Sequence, residues 1–137
     1  MSRRSRATRV EFAVPGGQGA PAKARRELTS KLTKHLEPRV MYEVSLLLSE
    51  LVTNAVRHGG AGEGHRIGVE VRLIADRIRV SVTDPGKGFD RPATPRAHAG
   101  GQGGNGLPLL QALASDWDVE RGKGTRVWFE MAVERAA

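Results

Sequence analysis

The chain contains no cysteine. That excludes disulfide bridges and thiolate-ligated metals, and it fits a cytoplasmic setting. Aromatic residues are scarce, at 4% of 137 residues, so aliphatic side chains and alanine must fill the core. No apolar run approaches the roughly 20 residues that span a bilayer, so no membrane association is expected. The N-terminus is basic but has no apolar stretch behind it, and a secretory signal is therefore not expected. What is present suits one soluble domain with one core: 39% hydrophobic and 27% charged residues.

Acidic residues are outnumbered, giving a formal charge of +7. A charge of that sign raises nucleic-acid binding as a class. Arg3, Arg4, Arg6 and Arg9 cluster at the terminus, however, and the other cations are scattered without interleaved aromatics for base stacking. An anionic small molecule and an acidic protein partner fit this pattern better than direct nucleic-acid binding.

Patterning divides the chain into a basic tail (1–8), one domain (9–133) and a short end (134–137). Arg9 to Val14 alternates and reads as a strand closed by Pro15-Gly16-Gly17. Residues 20–36 favour a helix, with Pro21 acceptable in its first turn. Pro38 breaks that run and opens a second helix to His58, with an apolar stripe of Val44, Leu48, Leu51 and Ala55. Ile67–Leu73 and Ile78–Thr83 alternate around a tight turn and predict a hairpin. Residues 90–105 hold Pro, Ala and Gly without a period and read as a loop of functional length. A short helix from Leu107 to Ala114 precedes a closing hairpin, Trp117–Glu120 with Thr125–Met131. This order predicts an α/β two-layer sandwich: a largely antiparallel mixed sheet with helices on one face.

Three constellations carry chemistry. Glu50 and Asn54 lie one turn apart on the second helix, roughly 80–120° from the centre of its apolar stripe. A carboxylate can move a proton and an amide oxygen can ligate a hard cation. The pair reads equally as an ordinary polar flank. Arg57 shares that face. Next, Asp84-Pro85-Gly86-Lys87-Gly88 leaves a strand with an acceptor for an exocyclic amine and two glycines that permit close backbone approach. The same residues also make a plain turn. Last, Gly100 to Leu107 runs into a helix start, where glycine-rich backbone N–H groups can cradle phosphate or simply form a linker. It lacks the Gly-Lys-Ser/Thr ending of a Walker A loop.

In this order the segments resemble the histidine-kinase-like ATPase superfamily, the Bergerat ATP-binding fold. That superfamily includes topoisomerase ATPase domains, sensor histidine kinases and anti-sigma factor serine kinases. Its N box resembles Glu50 to His58. Its first glycine box resembles Asp84 to Gly88, and its second Gly104-Asn105-Gly106-Leu107. Gly124-Thr125 matches its terminal Gly-Thr. The resemblance covers roughly residues 9–133 and implies binding of ATP with Mg²⁺. Glu50 is then the general base and Asn54 the metal ligand. Asp84 recognises adenine with Thr125 assisting, Gly86 and Gly88 shape the pocket, and 90–105 form a lid. Gly104, Asn105, Gly106 and Leu107 hold phosphate, and Arg57 is a further nucleotide-site residue.

Glu50 stands where sensor histidine kinases carry Asn, and the segment before it reads as too short for a dimerising hairpin that bears the acceptor histidine. The stand-alone length and the Glu-Leu-Val-Thr-Asn-Ala and Gly-Leu-Pro-Leu runs resemble the anti-sigma factor serine kinases. That implies a regulatory kinase that sequesters a sigma factor and phosphorylates a serine of its antagonist. Such relatives often dimerise, so a homodimer is a further expectation. One departure is Asn105, where many of these relatives carry Arg. It keeps open an alternative: a protein-sequestering switch, ATP-binding or ATP-independent, without kinase activity.

Overall fold

The computed structural model describes residues 7–58, 64–84, 107–122 and 124–133. The elements follow in the expected order: β1 (Ala7–Pro15), α1 (Ala20–Leu32), α2 (Pro38–His58), β2 (Arg66–Ile74), β3 (Arg77–Asp84), α3 (Leu107–Leu113), β4 (Asp116–Arg121) and β5 (Thr125–Ala132). The strands form one sheet in the order β1-β2-β3-β5-β4. All four pairings among the described strands are antiparallel, so the mixed character expected of the sheet is not seen there.

Alternation decides which face is which. On β2, Ile67, Val69, Val71 and Leu73 are buried, and their cross-strand partners on β3 include Val82, Val80 and Ile78. Phe129 and Met131 of β5 and Trp117 of β4 continue that inner face. The helices cover it: α1 packs on β1 and α2, and α2 packs on β3 and α3. Leu28, Leu32, Leu47, Leu48 and Phe129 are among its fully buried side chains. Removing a side chain as large as Phe129 from such a core costs about 3–5 kcal/mol.

Two boundaries differ from the sequence reading by two residues or more. The first strand begins at Ala7, not Arg9, because Ala7 and Thr8 pair with Ile74 and Leu73 on the long β2. These two residues leave the expected tail. The first helix ends at Leu32, not at 36. Its buried row of Ala20, Ala24, Leu28 and Leu32 is complete there, and the His35 N–H donates to the Leu32 carbonyl in a closing turn. Leu36 is still buried, but from the connection to α2. Between β1 and α1 the chain reverses through Gly17 at φ 103°, a left-handed conformation that favours glycine. The β2–β3 turn places Ala75 at φ 55°, as a tight hairpin of this hand requires. Among the described residues, no helix is long and apolar enough to cross a membrane.

Candidate functional site

Asp84 is the last residue of β3 and Thr125 the first of β5. They are register partners, so their side chains lie side by side on the helix-covered face. Both are nearly sealed from solvent, Asp84 at 3% and Thr125 at 4% exposure. A buried carboxylate beside a hydroxyl is expensive in a core that needs neither. At a strand end it is a ready hydrogen-bond station for a polar ligand edge. Linear spacing places these residues 41 positions apart; only the β3–β5 pairing joins them.

Glu50 and Asn54 lie on α2, one turn apart on one row. Both are half-buried at the edge of the helix's packed face, where Leu47, Leu48, Leu51 and Ala55 go inward. The amide oxygen of Asn54, Oδ1, is shielded from solvent. Among the described residues, no hydrogen bond or ion pair engages the Glu50 carboxylate. Thr53 turns its hydroxyl back onto the Ser49 carbonyl at 2.7 Å, keeping it out of this row. Arg57 lies exposed near the C-terminal end of the helix.

Leu107 opens α3 as expected. Gly86, Gly88, Gly104, Asn105 and Gly106, and the expected lid at 90–105, lie outside the described residues. The structure therefore brings Asp84 to Thr125 and Glu50 to Asn54, and packs α2 against β3. Sequence reading passed over Tyr42, two turns before Glu50 on the same helical row and 66% exposed. Counting back by fours from Glu50 would have found it.

The α/β sandwich thus carries a buried polar pair at a strand end and a carboxylate–amide pair on the covering helix. Residues 18–131 match the histidine kinase-like ATPase domain, and the chain belongs to that family. It is similar to the serine-protein kinase RsbW of Bacillus pumilus (strain SAFR-032), with 33% identity over 99 residues, 62% of this chain and 60% of that protein. A second RsbW, from Staphylococcus epidermidis, is 30% identical over 95 residues, 60% of this chain and 59% of the relative. The chain thus spans about 60% of the length of the curated relatives it matches. The fold resembles the crystal structure of the RsbU and RsbW domains of Rv1364c from Mycobacterium tuberculosis. There the TM-score is 0.64 at 20% identity, over 95% of this chain and 34% of that one.

Membership of an ATPase family implies ATP binding. The side chains also suit Mg²⁺. An amide oxygen is a hard, neutral ligand, and Asn54 presents a shielded one beside the Glu50 carboxylate. Among the described residues, no group of three or more His, Asp or Glu could hold a metal alone. That suits an ion that takes most of its ligands from phosphate and water.

Proposed function

We propose that the chain is an ATP-dependent protein-serine kinase that also sequesters a sigma factor, acting on a serine of the sigma factor's antagonist in the cytoplasm. The observation that best supports this reading is Glu50 on the row of Asn54: half-buried, and unengaged among the described residues. A carboxylate in that position can accept the proton of a hydroxyl presented to it, and positioned general bases contribute roughly 10²–10⁴-fold. The relatives named serine-protein kinase support the same reaction class.

Each residue then has a task. Asp84 accepts a hydrogen bond from the exocyclic amine of adenine, and Thr125 beside it holds the base edge. Asn54 would hold the metal through its amide oxygen, and Arg57 would add positive charge near the phosphates. Leu107 opens the helix after the second glycine box, whose Gly104, Asn105 and Gly106 would line the phosphates with Gly86 and Gly88 shaping the pocket. Bound Mg²⁺ would neutralise phosphate charge, leaving the protein to position the nucleotide and take up the proton. Glu50 takes the serine proton as the hydroxyl oxygen forms its bond to the γ-phosphorus and the bond to ADP breaks.

The test is calorimetric titration of the wild type and Asn54→Ala with Mg-ATP, alongside phosphorylation of the antagonist. The wild type is expected to bind and transfer, and Asn54→Ala to lose affinity by tenfold or more (about 1.4 kcal/mol). Equal affinity in both proteins would remove Asn54 from the metal. Binding by the wild type without transfer would leave a sequestering switch.

A further inference from the structure

Two large hydrophobic side chains stand exposed among the described residues: Tyr42 at 66% and Ile74 at 47%. They lie on opposite sides of the sandwich. Ile74 ends β2 on the uncovered sheet face. Tyr42 projects from the outward side of α2, and its row is not random. Tyr42, Leu46, Glu50 and Asn54 succeed one another four residues apart, so they form one ladder along the helix. Exposure falls along it, from fully open at Tyr42 to half-buried at Leu46, Glu50 and Asn54. The ladder leads from open solvent to the proposed base.

Distance turns this into a constraint. Eight residues of helix rise about 12 Å. An ordinary protein interface covers about 800 Å² on each partner, a disc roughly 16 Å in radius. A folded protein that seats a hydroxyl at Glu50 therefore reaches Tyr42 as well. Tyrosine suits such a contact, since it buries a large rigid surface and keeps a polar tip. Arg39, three residues earlier, is a neighbour on the helix surface. It is exposed, and among the described residues no ion pair engages it. Four cations of the sheet's outer face behave differently: Arg9, Arg72, Arg77 and Arg79 pair with glutamates, while Arg66 there donates to the Ala13 carbonyl. The unpaired cation beside the exposed ring complements an acidic surface with an apolar contact point.

We propose that Tyr42 and Arg39 are the docking anchor for the phosphoacceptor protein, selecting an acceptor that carries an acidic, apolar-tipped surface about 12 Å from its reactive hydroxyl. In an extended acceptor segment that distance is roughly four residues. The inference rests on the kinase reading for the identity of its occupant. It assigns specificity to residues outside the nucleotide site.

The probe is the purified, unphosphorylated antagonist from the same genome, with Mg-ATP as co-substrate. Tyr42→Ala and Arg39→Glu are each expected to raise KM for the antagonist and weaken its binding about tenfold or more, with kcat and Mg-ATP affinity unchanged. Tyr42→Phe should restore most of the loss, and Ile74→Ala should match the wild type. An unchanged KM in Tyr42→Ala, an equal loss in Ile74→Ala, or a wild type with no affinity for the antagonist would overturn the anchor. So would sedimentation showing that Tyr42→Ala merely dissociates a homodimer. Binding that depends on Tyr42 without phosphate transfer would retain the anchor and sink the kinase; transfer indifferent to Tyr42 would do the reverse.

Discussion

Two surfaces of this domain face water, and they handle charge in opposite ways. On the uncovered face of the sheet, Glu70 sits between Arg9 and Arg72, with contacts of 2.9 and 3.3 Å. Glu130 sits between Arg79 and Arg77, also at 2.9 and 3.3 Å. The Arg79 guanidinium lies 3.9 Å over the Trp128 ring and helps to bury it, although among the described residues no helix covers that face. On the outward face of α2, by contrast, Arg39, Glu50 and Arg57 have no ion pair among the described residues. A surface that satisfies its charges internally serves the fold. A surface that holds them unpaired on a rigid helix leaves them available to a ligand.

The same substitution on the two surfaces should therefore have opposite results. Glu50→Gln keeps the shape and removes the proposed base. It should cut phosphate transfer to the antagonist by roughly 10²–10⁴-fold while leaving the melting temperature within a degree or so. Glu130→Gln should leave transfer intact and cost about 1 kcal/mol, a shift of a few degrees, because two partly exposed pairs weaken together. Paired measurements of transfer rate and thermal midpoint check both. Loss of transfer in Glu130→Gln, or full transfer in Glu50→Gln, would erase the distinction between the surfaces.

Much of this contrast could be read before any coordinates. Helical spacing alone places Glu50 over Asn54, and alternation places Glu70 and Glu130 on outward strand positions. Which outward residues meet was not readable. Arg9 reaches Glu70 through the β1–β2 pairing, and Arg79 reaches Glu130 through β3–β5. Those partners lie far apart in sequence, and neither pairing follows from a hairpin turn. The β2–β3 and β4–β5 hairpins, whose turns are short, were readable. Asp84 and Thr125 were expected at one site only through family resemblance. Residue spacing carries no sign that they share a register. Element ends slipped for a related reason: β1 extends to Ala7 because β2 offers it a partner as far as Ile74, which β1's own sequence does not reveal.

The buried pair sharpens the comparison from inside. Asp84 and Thr125 are polar like the outer lattice, yet they sit on the core face where polarity is costly. If they serve a ligand, their removal should cost binding more than folding. Asp84→Ala is expected to weaken Mg-ATP about tenfold to a hundredfold, the scale of one hydrogen bond to a charged group. Thr125→Val, nearly the same shape, should weaken it less. Titration calorimetry with a thermal melt of each variant separates the two effects. Unchanged ATP affinity with a large drop in stability would make the pair structural, like Glu130.

The smallest effect should come from acid, and its direction follows from the outer lattice. For Glu130, the hydrogen bond from Arg79 lowers the carboxyl pKa; burial opposes this, and Arg77 reinforces it. For Glu70, burial raises the pKa, but the hydrogen bond and charge of Arg9, with the charge of Arg72, outweigh it. Both groups titrate below their ordinary value of 4.5 in the folded chain. As pH falls through that value, the unfolded chain takes up these two protons first. The stabilisation they supply is therefore complete above about pH 4.5 and is lost as pH drops further toward the folded values. The pairs are partly exposed, so each contributes little, and salt screens part of it. Melts of the wild type and of Glu70→Gln/Glu130→Gln should differ by a few degrees at pH 7 and draw together as pH falls below 4.5. One molar salt should narrow the gap at neutral pH. A gap that persists unchanged to pH 3 would mean that shape and packing around Trp128, not charge, hold the outer face together. The contrast with α2 would then rest on the site's unpaired residues alone.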